Sequence, residues 1–285
     1  MKFSVFSVCT PEYDIPGTVQ LLKKLGYDGV EWRVTDPPPT EKPADYRYEG
    51  RYWSYNKSTV NVATVDKEAA NIKDVCHSAG LDICNLATYL KLWDVAEIER
   101  VLYAAKIMEC PSIRVDTPLY DEKEHYTSLF NRSAAQVREL EKLAAKYNVR
   151  IIFETHMGNL IPSASAAYRF VCECDPKYIG IIFDPGNMVY EGFENYRLGI
   201  ELLGNHLSHV HVKNSMWQLV ETSPDGVEKW RPTWAQFKKG YADLGRLIKI
   251  LRETGYGGYV SVEDFSNVED TVTKLKNNLA FLRQL

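Results

Sequence analysis

The chain has 285 residues, of which 45% are hydrophobic and 25% are charged. This composition is typical of a folded globular protein and excludes a disordered or fibrous one. The 34 basic and 38 acidic residues leave a net charge of −4, so the chain lacks the basic field on which general nucleic-acid binding and attachment to anionic lipid depend.

The N-terminal segment Met1–Cys9 contains an apolar run that is too short for a signal peptide, and we predict that it forms a first buried strand. No run of about 18 consecutive apolar residues occurs, so the sequence predicts no transmembrane helix. We therefore expect a cytoplasmic protein without a membrane partner. The six cysteines are scattered and form no CxxC pair, which predicts reduced, mostly buried thiols.

Short apolar runs alternate with amphipathic helical stretches along the whole chain. Eight runs are predicted strands: 2–8, 29–34, 82–86, 112–116, 150–154, 179–183, 207–212 and 259–263. Apolar strands that alternate with helices indicate a parallel sheet covered by helices. Eight such units predict a closed (β/α)8 barrel, a TIM barrel, that forms a single domain over residues 1–285. An open doubly wound sheet is the alternative.

Glycines at the ends of the predicted helices support this assignment. Gly26, Gly80 and Gly255 each follow a predicted helix and precede a predicted strand. The one large irregular insertion covers about residues 35–58; it opens with three prolines and is rich in tyrosine and tryptophan. Because it follows the second strand, it is expected at the C-terminal rim of the barrel, where long loops build active sites, and we expect it to cover the site as a lid.

Ionisable residues collect where the last four strands end. Glu154, Asp184 and Glu263 follow or end strands five, six and eight, and strand seven carries His209 and His211. Three carboxylates that converge at one end of a barrel repel one another unless a cation lies between them. One imidazole and three carboxylates suit a divalent metal ion.

His209 and His211 lie two residues apart on one strand, about 6.6 Å along it, so both can hardly bind the same ion. We predict His211 as the ligand because it is level with Glu154 and Glu263, and we expect His209 to be hydrogen-bonded inside the barrel. Lys213 continues the same face and is predicted to point over the metal toward the substrate, or else to be a solvated rim lysine.

These motifs together resemble the xylose isomerase-like TIM-barrel superfamily of sugar phosphate isomerases and epimerases, over essentially the whole chain. The resemblance rests on Glu154-Thr155-His156, on residues 183–187 and 209–213, and on residues 255–263. It implies one divalent ion, commonly manganese, magnesium, cobalt or zinc, held by Glu154, Asp184, His211 and Glu263. Two positions depart from the family pattern: Asn187 stands where many members have histidine, and Asn214 where an acid is often found.

The proposed site suits proton transfer next to a carbonyl. A metal ion can polarise the carbonyl and an adjacent hydroxyl of a ketose and favour an enediolate, while one glutamate removes a proton and the other returns one. Glu154 and Glu263 are therefore the predicted catalytic acid and base. The function indicated is a metal-dependent sugar or sugar phosphate isomerase or epimerase. A related dehydratase, which would expel a β-hydroxyl from the same intermediate, is the alternative.

Other polar and aromatic residues near strand ends are candidate contacts to a small carbohydrate substrate: Trp53, Arg114, His156, Asn187 and Lys213. Arg114 and Asp116 share one face of strand four and form either a substrate clamp or an internal ion pair. Glu31 and Arg33 on strand two carry the same ambiguity. Association into a homo-oligomer is left open by the sequence.

Two further classes of function are less well supported. An apurinic endonuclease of the same superfamily would need a histidine-rich cluster of several metals, whereas this chain has six histidines in all and a negative net charge. A sugar-binding barrel without catalysis would not need the acids, and all of them are present.

Overall fold

The computed structural model describes all residues 1–285, and its central feature is a closed ring of eight parallel strands. The strands, β1 to β8 in chain order, are Lys2–Phe6, Gly29–Thr35, Asp82–Lys91, Ser112–Asp116, Arg150–Glu154, Ile179–Phe183, Leu207–Val212 and Tyr259–Val262. Each strand pairs with the next along the chain, and β8 pairs with β1 in the register Lys2↔Tyr259 to Val5↔Val262, which closes the barrel.

Helices connect the strands on the outside of the ring, one main helix in each unit. These helices, α1 to α8, are Ile15–Leu25, Val65–Ser78, Val95–Ile107, Tyr126–Tyr147, Ala164–Val171, Tyr196–Leu203, Leu244–Glu253 and Thr271–Gln284. Two short helices, Arg51–Ser54 and Pro185–Tyr190, and three 3-10 turns, Ser7–Cys9, Tyr48–Gly50 and Gly204–His206, complete the helical structure. The (β/α)8 barrel predicted from the sequence is confirmed, and the open sheet is not observed.

The hydrophobic core lies between the barrel and its helices. Sixty-nine buried hydrophobic residues form one continuous cluster, so the whole chain shares one core. The predicted helix-ending glycines Gly26, Gly80 and Gly255 have φ angles of 90°, 65° and 74°. This left-handed conformation strains a residue with a Cβ atom but not glycine, which explains why glycine stands at these turns. None of the helices combines the length and the hydropathy that crossing a bilayer demands.

Two elaborations lie on the C-terminal rim, the end of the barrel at which the strands run out. The insertion after β2 is irregular over most of residues 36–58, apart from one 3-10 turn and one helical turn, and is followed by a two-residue strand, Val60–Asn61. The second elaboration, after β7, is an antiparallel hairpin of Asn214–Thr222 and Glu228–Ala235. The sequence analysis does not predict this hairpin, which spans 22 residues in all.

Candidate active site

A cavity of about 350 Å³ opens at the C-terminal rim, above the interior of the barrel. Glu154, Lys213 and Glu263 line it, and each of these three residues is at least 94% buried. Parallel strands bring their carboxyl ends to the same rim, which is why residues that end β5, β7 and β8 meet there although they are far apart in the sequence.

The four predicted metal ligands converge below this cavity. Each offers one ligand atom, and these four atoms all lie within 4.8 Å of one another. The Nδ1 atom of His211 is 3.1 Å from Glu154 Oε1, 3.7 Å from Asp184 Oδ2 and 3.9 Å from Glu263 Oε2. All four side chains are buried. The sequence-based expectation that strands five to eight place these groups together is therefore met in the geometry.

Asp184 has a different partner for each carboxylate oxygen. Oδ1 accepts a hydrogen bond from the backbone N–H of Asn187 at 2.9 Å and so caps the short helix Pro185–Tyr190. Oδ2 is buried and accepts no hydrogen bond, because the nearby Lys213 ammonium, 3.0 Å away, is not aligned to donate one. The cap thus fixes the carboxylate with one oxygen directed at the ligand cluster, where a buried acceptor needs a cation or a donor.

Lys213 extends from the end of β7 into the cluster. Its ammonium contacts Glu263 Oε2 and lies 3.0 Å from Asp184 Oδ2 and 3.8 Å from Glu154 Oε1. It also lies 5.3 Å from the ring centre of Trp234 and 5.4 Å from that of Phe265. Burial alone would lower the pKa of Lys213, but the three carboxylates outweigh burial and raise the pKa above its ordinary value. The side chain is therefore a fixed cation at the floor of the cavity.

Glu154 is held at both oxygens. Arg114 donates to Oε2 at 2.7 Å, and the amide of Asn187 donates to Oε1 at 3.0 Å. Burial would raise the pKa of Glu154, but the charges of His211, Lys213 and Arg114 outweigh burial and hold the pKa well below its usual range.

Glu263 has an environment of the opposite kind. Burial raises the pKa of this carboxyl, and the positive charges of Lys213 and His211 lower it. The negative charges of Glu154 and Asp184 raise it further, so the pKa lies above its ordinary value.

The buried charges around the cluster are unequal when the histidines carry no charge. Two permanent cations, Arg114 and Lys213, face four buried carboxylates, those of Glu31, Glu154, Asp184 and Glu263. When the histidines are neutral, two negative charges remain. One divalent cation would balance them, and the oxygen-rich donor set with one imidazole fits such an ion.

The chain matches a family of known fold over almost its whole length. The sequence profile of the family described as xylose isomerase-like TIM barrel matches residues 19–285. The protein belongs to this family. Among solved structures of similar fold, 3-keto-D-glucoside 4-epimerase YcjR from E. coli superposes with a TM-score of 0.73 at 19% identity, covering 100% of both chains. The IOLI protein, solved with a bound zinc atom, superposes with a TM-score of 0.71 at 16% identity, covering 99% of this chain and 98% of the other.

Curated relatives are similar over a shorter stretch. Inosose dehydratase from Clostridium botulinum (strain Eklund 17B / Type B) is 27% identical over 166 residues, which cover 53% of this chain and 52% of the relative. The chain therefore spans about half the length of the curated relatives it matches first.

Within this xylose isomerase-like barrel, four of the five predicted substrate contacts line the cavity: Trp53, Arg114, His156 and Lys213. Arg114 forms the expected ion pair with Asp116, at 3.7 Å, and a closer one with Glu154, at 2.7 Å. It is therefore both a wall of the cavity and part of a buried network. His156 is partly exposed, and its Nδ1–H donates to the Met157 carbonyl at 2.8 Å, which leaves Nε2 free.

Asn187 does not line the cavity. It is fully buried, and its amide donates to Glu154 and to the Thr155 carbonyl at 3.1 Å, so the structure places it behind the metal-ligand cluster rather than against a substrate. Asn214 is also turned away from the cavity: its side chain bonds the backbone of Phe237 and Ala242 and closes the base of the hairpin.

Several residues of the site are not identified by the sequence reasoning. Trp234 reaches the cavity from the second strand of the hairpin, and Tyr89 and Phe265 line its walls. The hairpin has a sequence signal, Asp225-Gly226 between two runs rich in aromatic and β-branched residues. Glu31, which the sequence analysis leaves as a substrate clamp or part of an internal ion pair with Arg33, instead crosses the barrel interior from β2 to the histidines of β7.

Proposed function

We propose that the protein is a divalent-metal-dependent epimerase or isomerase of a carbohydrate, acting at the carbon next to a carbonyl group. The observation that carries this proposal is that Glu154 and Glu263, from strands three places apart around the ring, line the same small cavity beside the ligand cluster. One carboxylate removes a proton from the substrate carbon, and the other returns a proton from a different direction.

Glu154, Asp184, His211 and Glu263 would hold the metal ion. When bound, the ion supplies a Lewis acid that polarises the carbonyl and stabilises negative charge developing on the substrate oxygens. Manganese, magnesium, cobalt and zinc are the candidate ions, and the zinc atom of the similar IOLI protein supports zinc among them. Arg114 and Asn187 hold Glu154 in place, while Lys213 holds Glu263, so both reactive carboxylates are oriented before substrate arrives.

The walls of the cavity favour an unphosphorylated substrate. The three cationic side chains that line it are Lys91, Arg114 and Lys213, and each already pairs with a carboxylate, so none is left over to grip a phosphate group. One wall is aromatic: the ring of Phe265 lies 4.6 Å from that of Trp53 and 5.3 Å from that of Trp234. Such a wall suits the C–H face of a sugar or cyclic polyol, whose hydroxyls would face the polar wall.

Dehydration is the second candidate reaction. The half-length similarity to inosose dehydratases favours it, and so does the Lys213 ammonium, which lies at the floor of the cavity and can donate a hydrogen bond to a departing hydroxyl group. In that case Glu154 would remove the proton next to the carbonyl and pass it to the β-hydroxyl, which would leave as water. Epimerisation differs by retaining every oxygen of the substrate.

Proton NMR in deuterated water separates these reactions. The protein, loaded in turn with Mn²⁺, Mg²⁺, Co²⁺ and Zn²⁺, is incubated with unphosphorylated ketoses, keto-glycosides and inososes and with their phosphorylated counterparts; diamagnetic products are read after removal of the metal. An epimerase or isomerase places deuterium at the carbon next to the carbonyl without loss of water. A dehydratase yields a product that is lighter by one water molecule.

Carboxylate-to-amide variants test the two glutamates. Glu154→Gln and Glu263→Gln should each lose at least about 10²-fold in turnover, a typical contribution of a general acid or base. Glu221→Gln, an exposed glutamate on the hairpin, is the matched control and should keep full activity. Metal content is measured for each variant, so that loss of the ion is distinguished from loss of proton transfer. Conversion without deuterium incorporation, together with active Gln variants, would contradict the proposal.

A further inference from the structure

Glu31 makes the one carboxylate contact to the face of His211 that points away from the cavity. His211 Nε2 lies 3.1 Å from Glu31 Oε1 and 2.9 Å from Oε2, while Nδ1 of the same ring faces the ligand cluster. Glu31 is fully buried, and no lysine or arginine is paired with it. A buried carboxylate of this kind is retained only where hydrogen-bond donors surround it.

Three donors converge on the Glu31 carboxylate. Besides His211, the amide of Asn85 donates to Oε1 at 2.8 Å and Nε2 of His209 lies 3.1 Å from Oε2. Asn85 is itself fixed, since its Oδ1 accepts from the Ser112 hydroxyl at 2.8 Å. Because an ionised carboxylate can only accept, both histidines must carry a proton on Nε2. In the neutral form of His211, the network therefore selects the tautomer that carries its proton on Nε2.

Packing fixes the ring of His211 as well. The Phe6 ring lies parallel to it, with ring centres 5.8 Å apart and an angle of 16° between the planes. The ring thus has little freedom to turn over and exchange its two nitrogen atoms.

We infer that Glu31 is a positioning residue for the metal site: it holds His211 in the Nε2–H form, so that the lone pair of Nδ1 is directed at the ion. This inference rests on the proposed function, since it assumes the metal site at Glu154, Asp184, His211 and Glu263. A carboxylate behind a ligating imidazole orients the ring and increases its basicity, and loss of such a partner typically weakens metal binding about 10- to 100-fold. His209 also contacts Glu31, but it lies two residues before His211 on β7, deeper in the barrel interior.

The test compares Glu31→Gln with wild type by calorimetric titration with Mn²⁺ and Zn²⁺. Glutamine keeps the shape of the side chain but loses the charge, and its amide group opposes a donor of Asn85 or a histidine. The metal dissociation constant should rise about 10- to 100-fold. Asp28→Asn is the matched control, because it likewise replaces a carboxylate by an amide. Asp28 lies at the opposite end of the barrel, where it accepts a hydrogen bond from the backbone N–H of Phe3. The metal dissociation constant of this variant should stay within about threefold of wild type.

A spectroscopic measurement on wild-type protein needs no destabilising variant. Long-range ¹H–¹⁵N correlation spectra report which ring nitrogen of a histidine carries the proton, and His211→Asn assigns the signal. The Zn²⁺-loaded protein should show His211 protonated at Nε2. A His211 ring protonated at Nδ1, or a Glu31→Gln variant that binds metal as tightly as wild type, would overturn the inference alone. Wild-type protein that binds neither ion would overturn the metal site itself.

Discussion

At the level of single residues, Asn187 and His156 contact the site in different ways. Asn187 bonds Glu154 from behind and does not line the cavity, whereas His156 lines it with one ring nitrogen free. We expect Asn187→Ala to lower kcat about tenfold or more with little change in KM, because a hydrogen bond to a charged group contributes about 1.5–3 kcal/mol. His156→Ala should mainly raise KM.

Steady-state kinetics on one substrate checks both variants, with metal content measured alongside. The two alanine variants are controls for each other. A raised KM with unchanged kcat for Asn187→Ala would show that this residue contacts substrate, as the sequence predicts, and not only Glu154.

His211 leads to a prediction about pH. Burial would lower the pKa of this imidazole, but the charges of Glu31 and Glu154 outweigh burial and raise the pKa well above its ordinary value. Without a cation the ring therefore holds a second proton at pH values above about 6.5. A metal ion must displace that proton, so its affinity should rise with pH throughout the range below the raised pKa and then level off.

Calorimetry in two buffers of different ionisation enthalpy counts the protons released on binding. The expected result at pH 7 is release of a proton, and Asp28→Asn should release the same number as wild type. An affinity that does not change with pH, with no proton released, would contradict the prediction.

The convergence of Glu154, Asp184, His211 and Glu263 was predictable from sequence because they lie at the ends of consecutive strands of a barrel, and parallel strands must present those ends together. Lys213 in contact with the carboxylates, and Glu31 behind His211, depend on which side chains face one another across the interior. Strand assignment gives the inward parity of such residues but not their partners. Asn187 shows the same limit: its place near the end of a strand predicts a substrate contact, and the helical turn after Asp184 directs it behind Glu154 instead.

At the level of secondary structure, all eight barrel strands are predicted because their apolar runs are long enough to be distinguished from the helices between them. The hairpin is not predicted, because both of its strands are largely exposed and carry no apolar alternation toward a core. Only the Asp225-Gly226 turn marks it in the sequence, where Gly226 has a φ angle of 87°.

The insertion after β2 divides into two parts with different roles. Residues 36–47 are largely exposed, whereas Arg51, Tyr52, Asn56 and Ser58 are fully buried. Lys274 of α8 donates to the Tyr52 hydroxyl at 2.6 Å and to the carbonyls of Asp264 and Ser266, which joins the second part to the loop after β8. Trp53 belongs to this second part and lines the cavity. Only the first part can be shortened without loss of core packing.

We therefore expect a short Gly-Ser linker in place of residues 38–46 to leave metal affinity and thermal stability nearly unchanged and turnover within about threefold, because the replaced residues do not line the cavity. Trp53→Ala should instead raise KM several-fold with metal affinity unchanged, because it removes part of the aromatic wall. Calorimetry, thermal unfolding and kinetics measure these quantities. A shortened protein that loses turnover would show that the exposed part acts as the lid, and an unchanged KM for Trp53→Ala would exclude its contact with substrate.

At the level of the whole molecule, the cluster joins the C-terminal half of the barrel. Its ligand groups come from the ends of four consecutive strands, β5 to β8, and β8 closes the ring against β1. Along the chain these groups are separated by 27 to 52 residues, so only the folded barrel offers them together. Bound metal should therefore stabilise the barrel as a unit.

The size of that stabilisation follows from mass action. An ion that binds only the folded state adds about 2.7 kcal/mol when its concentration is 100 times the dissociation constant. For a chain of this size about 1 kcal/mol shifts Tm by roughly 2 °C or more, so Tm should rise by about 5 °C with Mn²⁺, Co²⁺ or Zn²⁺ and fall back when a chelator is added.

Asp184→Asn should abolish the shift, because the ligand cluster then loses the charge on Oδ2, the buried oxygen that accepts no hydrogen bond. Glu221→Gln, on the exposed hairpin, should keep it. Calorimetric unfolding scans at several metal concentrations make the measurement; equal shifts in wild type and Asp184→Asn would mean that the ion binds elsewhere on the protein.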